Sequence, residues 1–312
     1  MISIIAPVYD ESESLGYFYR ALCTALEESG EEAEIIFVDD GSRDDSVEII
    51  RGFIKSDSRV RLVELSRNFG HEAAMLAGID SASGDAMIVM DSDLQHPPEL
   101  IKGMKEQYEA GFDVVLMKRD GNSKKGVFDN FFQHQFYRLF NRLSRIKLEE
   151  DASDFFLISR KIADILRNDM RERTRFLRGL VQWCGFNKTS LTFRLDKRSH
   201  GRSKYSILRL LSLSMDAIFS FSTAPLTLII YIGLGLAGFA FLYFIYAVII
   251  KLAGGSVEGW ASLLAMFSML SGFQLIATGV IGKYTGIILM EAKQRPLYII
   301  KNTENLSQDS HS

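Results

Sequence analysis

Two aspartates spaced one residue apart, Asp91 and Asp93, are well suited to hold a metal ion. They directly follow an apolar run at residues 86–90, which is typical of a buried strand whose carboxyl end opens into a site. In an extended chain, residues i and i+2 point to the same side, so both carboxylates can reach one hard cation. The pattern indicates a Mg²⁺ or Mn²⁺ site for phosphate groups, although an isolated Asp-x-Asp triplet is more often a turn.

Two further polar clusters, at residues 9–11 and 39–42, also come directly after short apolar runs. The carboxyl ends of parallel strands meet at one edge of a sheet, where open α/β folds bind their ligands. The three clusters are therefore predicted to form one site.

Segments of strand and helix character alternate along the first part of the chain. The predicted strands cover residues 2–8, 35–38, 60–65, 86–90 and 114–117, and the predicted helices cover 13–28, 44–54, 73–81 and 97–111. Residues 151–159 return to an extended pattern and bring Asp154 toward the same edge. The alternation predicts an α/β fold with a mostly parallel sheet.

Two long apolar segments, at about residues 225–250 and 260–282, can each cross a bilayer as a helix. Lys and Arg flank the pair on its outer sides, so the positive-inside rule places both termini in the cytoplasm of a multi-pass plasma-membrane or inner-membrane protein. The predicted organisation is a cytoplasmic catalytic domain (1–200), an amphipathic juxtamembrane segment (201–223), two transmembrane helices (224–290) and a cytoplasmic tail (291–312) that is polar and disordered after Asn302.

Charge and cysteine content narrow the function classes. A net charge of -3 provides no general attraction to nucleic acid, which is not expected as a partner. Cys23 and Cys184 are too few for a disulfide framework, which favours a reduced, cytoplasm-facing catalytic part.

Two local segments suggest contact with a membrane or with the core. For the basic run at 194–206, anionic lipid head groups are the favoured binding partner. The aromatic and arginine-rich residues 128–145 fit a core stripe best, with a membrane-interface helix as the alternative.

Five stretches in this order resemble the family 2 glycosyltransferases that make polyprenyl-phosphate sugars. They are APVYDE from Ala6, VDDGSRDDS from Val38, SRNFGHEAAMLAG from Ser66, DSDLQHPPE from Asp91 and HGRSKYS from His200. This group includes bacterial polyprenyl-phosphate glucosyltransferases and dolichol-phosphate mannose synthases. The resemblance covers nearly the whole chain and implies a Rossmann-like GT-A domain, then an amphipathic interfacial helix and two transmembrane helices.

The resemblance also implies roles for individual residues. The nucleotide-binding positions are Pro7, Tyr9, Glu11, Asp39, Asp40, Asp91 and Gln95. Asp91 and Asp93 match the metal ligands, and the catalytic set is Asp93, Arg119 near the phosphates and Asp154 near the acceptor phosphate. Asp154 matches a proposed base, although orienting or metal-linked roles fit nearly as well. Arg138, Arg202 and Lys204 match the groups that hold the lipid phosphate.

The implied reaction is an inverting, Mg²⁺- or Mn²⁺-dependent transfer of a sugar from UDP-glucose or UDP-GlcNAc to undecaprenyl phosphate. It takes place at the cytoplasmic membrane face and serves cell-envelope glycosylation. A GDP-mannose-using synthase is the alternative. A processive polysaccharide synthase is disfavoured because Trp183 follows Gln182 directly, without the Gln-x-x-Arg-Trp spacing of those enzymes. An inactive membrane scaffold would not need the intact acidic set.

Two further expectations concern the oligomeric state and His96. A homo-oligomer is expected because Gly233, Gly235 and Gly238 let helices approach closely. His71 and His96 lie near the acidic motifs. For His96 a hydrogen-bonded role is favoured over metal ligation, because Pro97 turns the chain away.

Overall fold

The computed structural model describes residues 1–30, 32–119, 149, 152–173, 176–193, 219, 222–254 and 259–306. The predicted lipid-phosphate residues Arg138, Arg202 and Lys204 lie outside these ranges, as do the aromatic segment 128–145 and most of the juxtamembrane segment 201–223. The chain forms an α/β unit, which holds most residues up to Ser206 and those from Pro296 onward, and a helical unit centred on Ile207–Arg295.

The α/β unit is built around an 8-stranded sheet with the order β7-β5-β6-β4-β1-β2-β3-β8. The strands are β1 (Ile2–Val8), β2 (Ala33–Asp39), β3 (Val60–Leu65), β4 (Ala86–Val89), β5 (Val114–Arg119), β6 (Ala152–Ser159), β7 (Lys188–Phe193) and β8 (Ile300–Glu304). The pairs β1/β2, β1/β4, β2/β3 and β5/β7 are parallel, whereas β6 runs antiparallel to β4 and β5 and β8 runs antiparallel to β3. The prediction of an α/β fold with a mostly parallel sheet is confirmed.

Six helices in the described part of the α/β unit surround this sheet. They are α1 (Ser12–Ser29), α2 (Ser46–Ser56), α3 (His71–Ser81), α4 (Leu100–Glu109), α5 (Arg160–Asn168) and α6 (Leu177–Trp183). Along α1, apolar residues recur at helical spacing, and the four that this spacing selects are all buried: Leu15, Phe18, Leu22 and Leu26. The sequence pattern therefore predicted both the helix and its core-facing side.

Helices cover both faces of the central strands. Ile4, Ala6 and Val8 of β1 share a buried cluster with α1. Ile5, which lies between Ile4 and Ala6, points to the other face of the sheet. There, a Cβ atom placed on Gly78 of α3 would lie 2.2 Å from the Ile5 Cγ2 atom. Only glycine permits so close an approach, so Gly78 brings α3 against the sheet.

The helical unit contains α7 (Ala224–Leu252) and α8 (Trp260–Ala292), and most of their apolar side chains are exposed. Among the described residues these are two helices long and apolar enough to cross a membrane. Both predicted spans are therefore found as helices, and α8 continues well past the predicted end at residue 282. Within this unit the Tyr284 hydroxyl donates a hydrogen bond to the Ser222 carbonyl oxygen at 2.6 Å.

The prediction of a disordered tail after Asn302 is wrong for Thr303 and Glu304, because they belong to an ordered strand formed by residues 300–304. This segment pairs with the outer edge of β3, with Ile300 opposite Leu65 and Glu304 opposite Leu62. Arg51 of α2 fixes it by binding Glu304 at 2.7 Å and the buried Glu64 at 2.6 Å. The tail sequence is polar because β8 is an edge strand that has water on one side.

Candidate active site

The strand register brings the predicted polar clusters to one edge of the sheet. Val8 pairs with Asp39, and Ile5 pairs with Val89, so β1, β2 and β4 end close together. Val89 also pairs with Phe156 of the antiparallel β6. Continuing that register beyond Phe156 places Asp154 level with Asp91, at the same edge as the other acids.

Asp91 lies between two histidines. The Asp91 Oδ1 atom is 3.3 Å from His71 Nε2, and the Asp91 backbone N–H donates to His96 Nδ1 at 2.9 Å. His96 is fully buried and its ring stacks on Phe155, with the centroids 5.0 Å apart. The prediction of a hydrogen-bonded His96 is confirmed, and its acceptor Nδ1 holds the backbone from which the Asp91 side chain projects.

Asp93 contacts Gln95. The Asp93 Oδ1 atom accepts the backbone N–H of Gln95 at 3.0 Å, and Oδ2 accepts its side-chain amide. Burial raises the pKa of Glu11, the Ser14 hydroxyl lowers it, and the carboxylates of Asp93 and Asp91 raise it further. These three acids therefore share one region of negative potential.

The donor set fits a hard divalent cation. Within the described residues no group of three or more His, Cys, Asp and Glu side chains is arranged to hold a metal ion. Mg²⁺, however, is usually bound by one or two carboxylates, with substrate phosphates and water filling the remaining positions. Asp91 and Asp93 supply two such oxygen donors and would hold the ion together with a phosphate-bearing ligand.

Asp39 and Asp40, at the end of β2, accept hydrogen bonds from the backbone. Asp39 accepts from the N–H groups of Gly41 at 3.1 Å and Ser42 at 3.2 Å. Asp40 accepts from Phe69 at 2.7 Å and Gly70 at 2.9 Å. Burial raises the pKa of both carboxyl groups, and these backbone bonds oppose the rise. Both acids thus shape the loops in which they were predicted to bind nucleotide.

The end of β1 and the loop that follows it form hydrogen bonds with neighbouring loops and with the start of α2. The Pro7 carbonyl oxygen accepts from the Ser92 hydroxyl at 2.9 Å, and the Glu11 N–H donates to the Ser46 hydroxyl at 3.0 Å. Tyr9 is exposed, so its ring remains accessible to a ligand. Asp10 has a φ of 53°, and its Oδ1 atom accepts the Arg43 N–H at 2.7 Å. Polar side chains thus join the β1 and β2 loops.

The other half of the sheet carries Asp154 and Arg119. The Asp154 Oδ1 atom lies 2.9 Å from Nε of Arg178, the second residue of α6. Arg119 ends β5 opposite Phe193, the last residue of β7. Arg178 was not predicted, because nothing in the sequence near Asp154 signals a partner on a helix twenty-odd residues further along.

The family follows from comparison with known proteins. Residues 3–166 match the family described as Glycosyl transferase family 2. The chain belongs to this family. It is a glycosyltransferase with the GT-A fold, and the β4 edge described above lies within the matched region.

Relatives of this glycosyltransferase match it over nearly its full length. It is 40% identical to an uncharacterized glycosyltransferase, YkcC, of Bacillus subtilis over 99% of this chain and 97% of the relative. It is also 40% identical to a bactoprenol glucosyl transferase of Shigella phage SfV over 96% of this chain and 98% of the relative. A crystal structure of glucosyl-3-phosphoglycerate synthase from Mycobacterium tuberculosis aligns with a TM-score of 0.47 and 17% identity, over 70% of this chain and 77% of that one.

Proposed function

We propose that this glycosyltransferase transfers a sugar from a nucleotide-sugar donor, UDP-glucose or UDP-GlcNAc, to undecaprenyl phosphate. The observation that carries the proposal is the 40% identity, over 96% of the chain, to a protein named bactoprenol glucosyl transferase. Because the match covers nearly the whole chain, it includes both α7 and α8 as well as the catalytic unit. A polyprenol is a membrane lipid, and the two apolar helices fit an enzyme that meets its acceptor in the bilayer.

The proposed mechanism is an inverting displacement. An oxygen of the acceptor phosphate attacks C1 of the sugar, while the bond from C1 to the nucleoside diphosphate breaks on the opposite face. A Mg²⁺ or Mn²⁺ ion held by Asp91 and Asp93 would offset the charge on the departing diphosphate. Because a phosphate monoester is already anionic at neutral pH, Asp154 is not required to remove a proton. Its proposed role is to orient the acceptor.

Cationic side chains are proposed to hold the two anionic substrates together. Arg119 stands at the carboxyl end of β5, beside the last residue of β7. The chain leaves the sheet at this edge, and the segment that contains Arg202 and Lys204 follows shortly afterwards. Arginine and lysine at these positions, with Arg138, would bind the lipid phosphate through charge-assisted hydrogen bonds.

The sheet topology also bears on membrane orientation. β7 precedes the two apolar helices and β8 follows them, yet both strands belong to one sheet. If α7 and α8 both cross the bilayer, the chain returns to the side on which it started. We therefore infer that the chain segments before α7 and after α8 lie on the same side of the membrane, which the flanking Lys and Arg residues make the cytoplasmic side.

A donor panel tests the function. Purified full-length protein is incubated with undecaprenyl phosphate, Mg²⁺ or Mn²⁺ and radiolabelled UDP-glucose, UDP-GlcNAc or GDP-mannose. We expect lipid-extractable label from a UDP-sugar, in a product whose anomeric configuration is opposite to that of the donor. Label from GDP-mannose alone would replace the proposed donor, and no labelled lipid with any donor would refute the function.

The acceptor site is tested by replacing Arg202 and Lys204 together with alanine. We expect the KM for undecaprenyl phosphate to rise at least about tenfold while the donor KM stays within about threefold, because each charge-assisted contact contributes roughly 1.5–3 kcal/mol. Lys161→Ala, an exposed lysine on α5, is the control and should change neither KM. Equal losses for both substrates would assign the basic residues another role.

A further inference from the structure

The first turn of α3 connects the two halves of the candidate site. Asp40 holds the start of this helix through the N–H groups of Phe69 and Gly70. The next two residues then reach in different directions: His71 contacts Asp91, and Glu72 accepts the backbone N–H of Leu177 at 2.6 Å. Since Leu177 is the first residue of α6, Glu72 locates the start of that helix relative to the metal-binding acids.

The side chain of Arg178, the residue after Leu177, contacts both Asp154 and Ala152. Its Nε lies 2.9 Å from Asp154 Oδ1, and its Nη1 donates to the Ala152 carbonyl oxygen at 2.7 Å. The guanidinium carbon is also 5.3 Å from the centre of the Phe176 ring. A planar guanidinium with an ion-pair contact at Nε and a hydrogen bond at Nη1 has a defined orientation, which a lysine ammonium could not reproduce.

The charges around Asp154 create a difficulty for the proposed acceptor. A carboxylate close to an approaching phosphate repels it, and this repulsion is strong where water is partly excluded. Glu72 adds a second nearby carboxylate: burial raises its pKa, the charge of Asp154 raises it further, and the N–H of Leu177 and the charge of Arg178 lower it. Arg178 is therefore a cation that pairs with Asp154 and whose charge also acts on Glu72, at the edge where the proposed anionic acceptor has to bind.

We propose that Arg178 is a positioning residue that orients Asp154 and offsets its negative charge, so that the acceptor phosphate can approach. Glu72 contributes by fixing the start of α6, which carries Arg178. This inference rests on the proposed transfer to a lipid phosphate, because only an anionic acceptor requires the charge of Asp154 to be balanced. It assigns a function to a side chain that neither motif spacing nor the acidic clusters indicated.

A positioning role for Arg178 can be distinguished from a purely structural one by combining Arg178→Gln with Asp154→Asn. Arg178→Gln leaves the Asp154 charge without its partner but keeps a polar side chain with a neutral amide donor. We expect it to raise the KM for undecaprenyl phosphate about tenfold and to leave the donor KM within about threefold. Adding Asp154→Asn removes the repulsive charge, so the double variant should regain an acceptor KM within about threefold of the wild type, although its kcat stays low.

The experiment uses full-length protein in detergent micelles, with initial rates measured while each substrate is varied separately. Equilibrium binding of labelled undecaprenyl phosphate is measured on the same preparations, and thermal unfolding is recorded for each variant. Arg178→Lys should restore acceptor binding only in part. The matched control is Arg171→Ala, which breaks a 2.8 Å ion pair with Asp80 at the other end of α3 and should leave both KM values unchanged.

The outcomes separate this inference from the proposed function. A wild type that transfers no sugar with any donor refutes the function, whereas the binding measurement still tests Arg178. If Arg178→Gln binds the lipid phosphate as tightly as the wild type, the inference is wrong. It is also wrong if both KM values rise together and Asp154→Asn gives no recovery, because a purely structural arginine would behave in that way.

Discussion

The two halves of the sheet hold their acidic residues in different ways. At the end of β2, Asp39 and Asp40 accept hydrogen bonds from backbone N–H groups of neighbouring loops. Just after β4 and near the start of the antiparallel β6, Asp91 and Asp154 instead contact the side chains of His71 and Arg178. A carboxylate bound by backbone amides is part of the fold, whereas one that faces side chains can exchange its partner for a ligand.

This difference predicts which acids support stability and which support chemistry. Deleting a carboxylate that accepts two backbone N–H groups leaves those donors unsatisfied in a partly buried loop. The free energy of unfolding therefore falls. Deleting one that binds a metal ion or orients a substrate mainly costs catalysis, since the loss of Asp93 removes the acceptor of one backbone N–H group, that of Gln95. Substitutions in the two halves should therefore separate activity from stability.

The largest expected effect is on activity, from Asp93→Ala. We expect kcat to fall at least about a thousandfold while the melting temperature stays within about 2 °C, because the proposed metal loses one of its two protein ligands. EDTA should abolish wild-type transfer, and added Mg²⁺ or Mn²⁺ should restore it. Asp45→Ala, at the exposed start of α2, is the control and should remain active. Wild-type rates in EDTA would contradict the metal role.

The next effect is on stability, from Asp40→Ala. Two backbone N–H groups lose their acceptor, so we expect the free energy of unfolding to fall by about 2–4 kcal/mol, measured by denaturant titration. Asp40→Asn retains one acceptor oxygen and should lose about half as much. An unchanged stability with a raised donor KM would instead make Asp40 a direct nucleotide ligand and remove the contrast between the halves.

The smallest effect concerns the edge strand β8. Burial tends to raise the pKa of Glu64, but hydrogen bonds from Asn302 and Lys301 and the charge of Arg51 together lower it. A carboxyl group whose pKa is lower in the folded state stabilises the fold above its unfolded pKa, and this stability is lost as the pH falls through the folded pKa. Glu64 should therefore contribute at neutral pH and not in strong acid.

Replacing Lys301 and Asn302 together with alanine tests this contribution. We expect a loss of about 1 kcal/mol at pH 7, discounted because the Lys301 side chain is 64% exposed, and a smaller loss at acidic pH. Thr303→Ala on the same strand is the control. A loss that is equal at both pH values would show that the strand is held by packing rather than by these charges.

Sequence reasoning predicted well what local spacing encodes. The strands β1 to β5, the buried side of α1 and the gathering of the acidic loops all follow from apolar periodicity within short windows. It could not predict contacts between distant segments. The partner of Asp154 lies on another element, and β8 reads as a polar tail because its partner β3 is separated from it by most of the chain.

The position of β8 in the chain has a consequence for biosynthesis. A ribosome releases the polypeptide from its amino end, so β3 keeps an unpaired outer edge until residues 300–304 have been made. Both apolar helices precede β8 in the chain, so they emerge from the ribosome before the strand that completes the sheet. If α7 and α8 cross a bilayer, their insertion therefore begins before β8 can pair with β3. A polypeptide that terminates prematurely after α8 exposes an open strand edge, which quality-control proteases and chaperones can recognise.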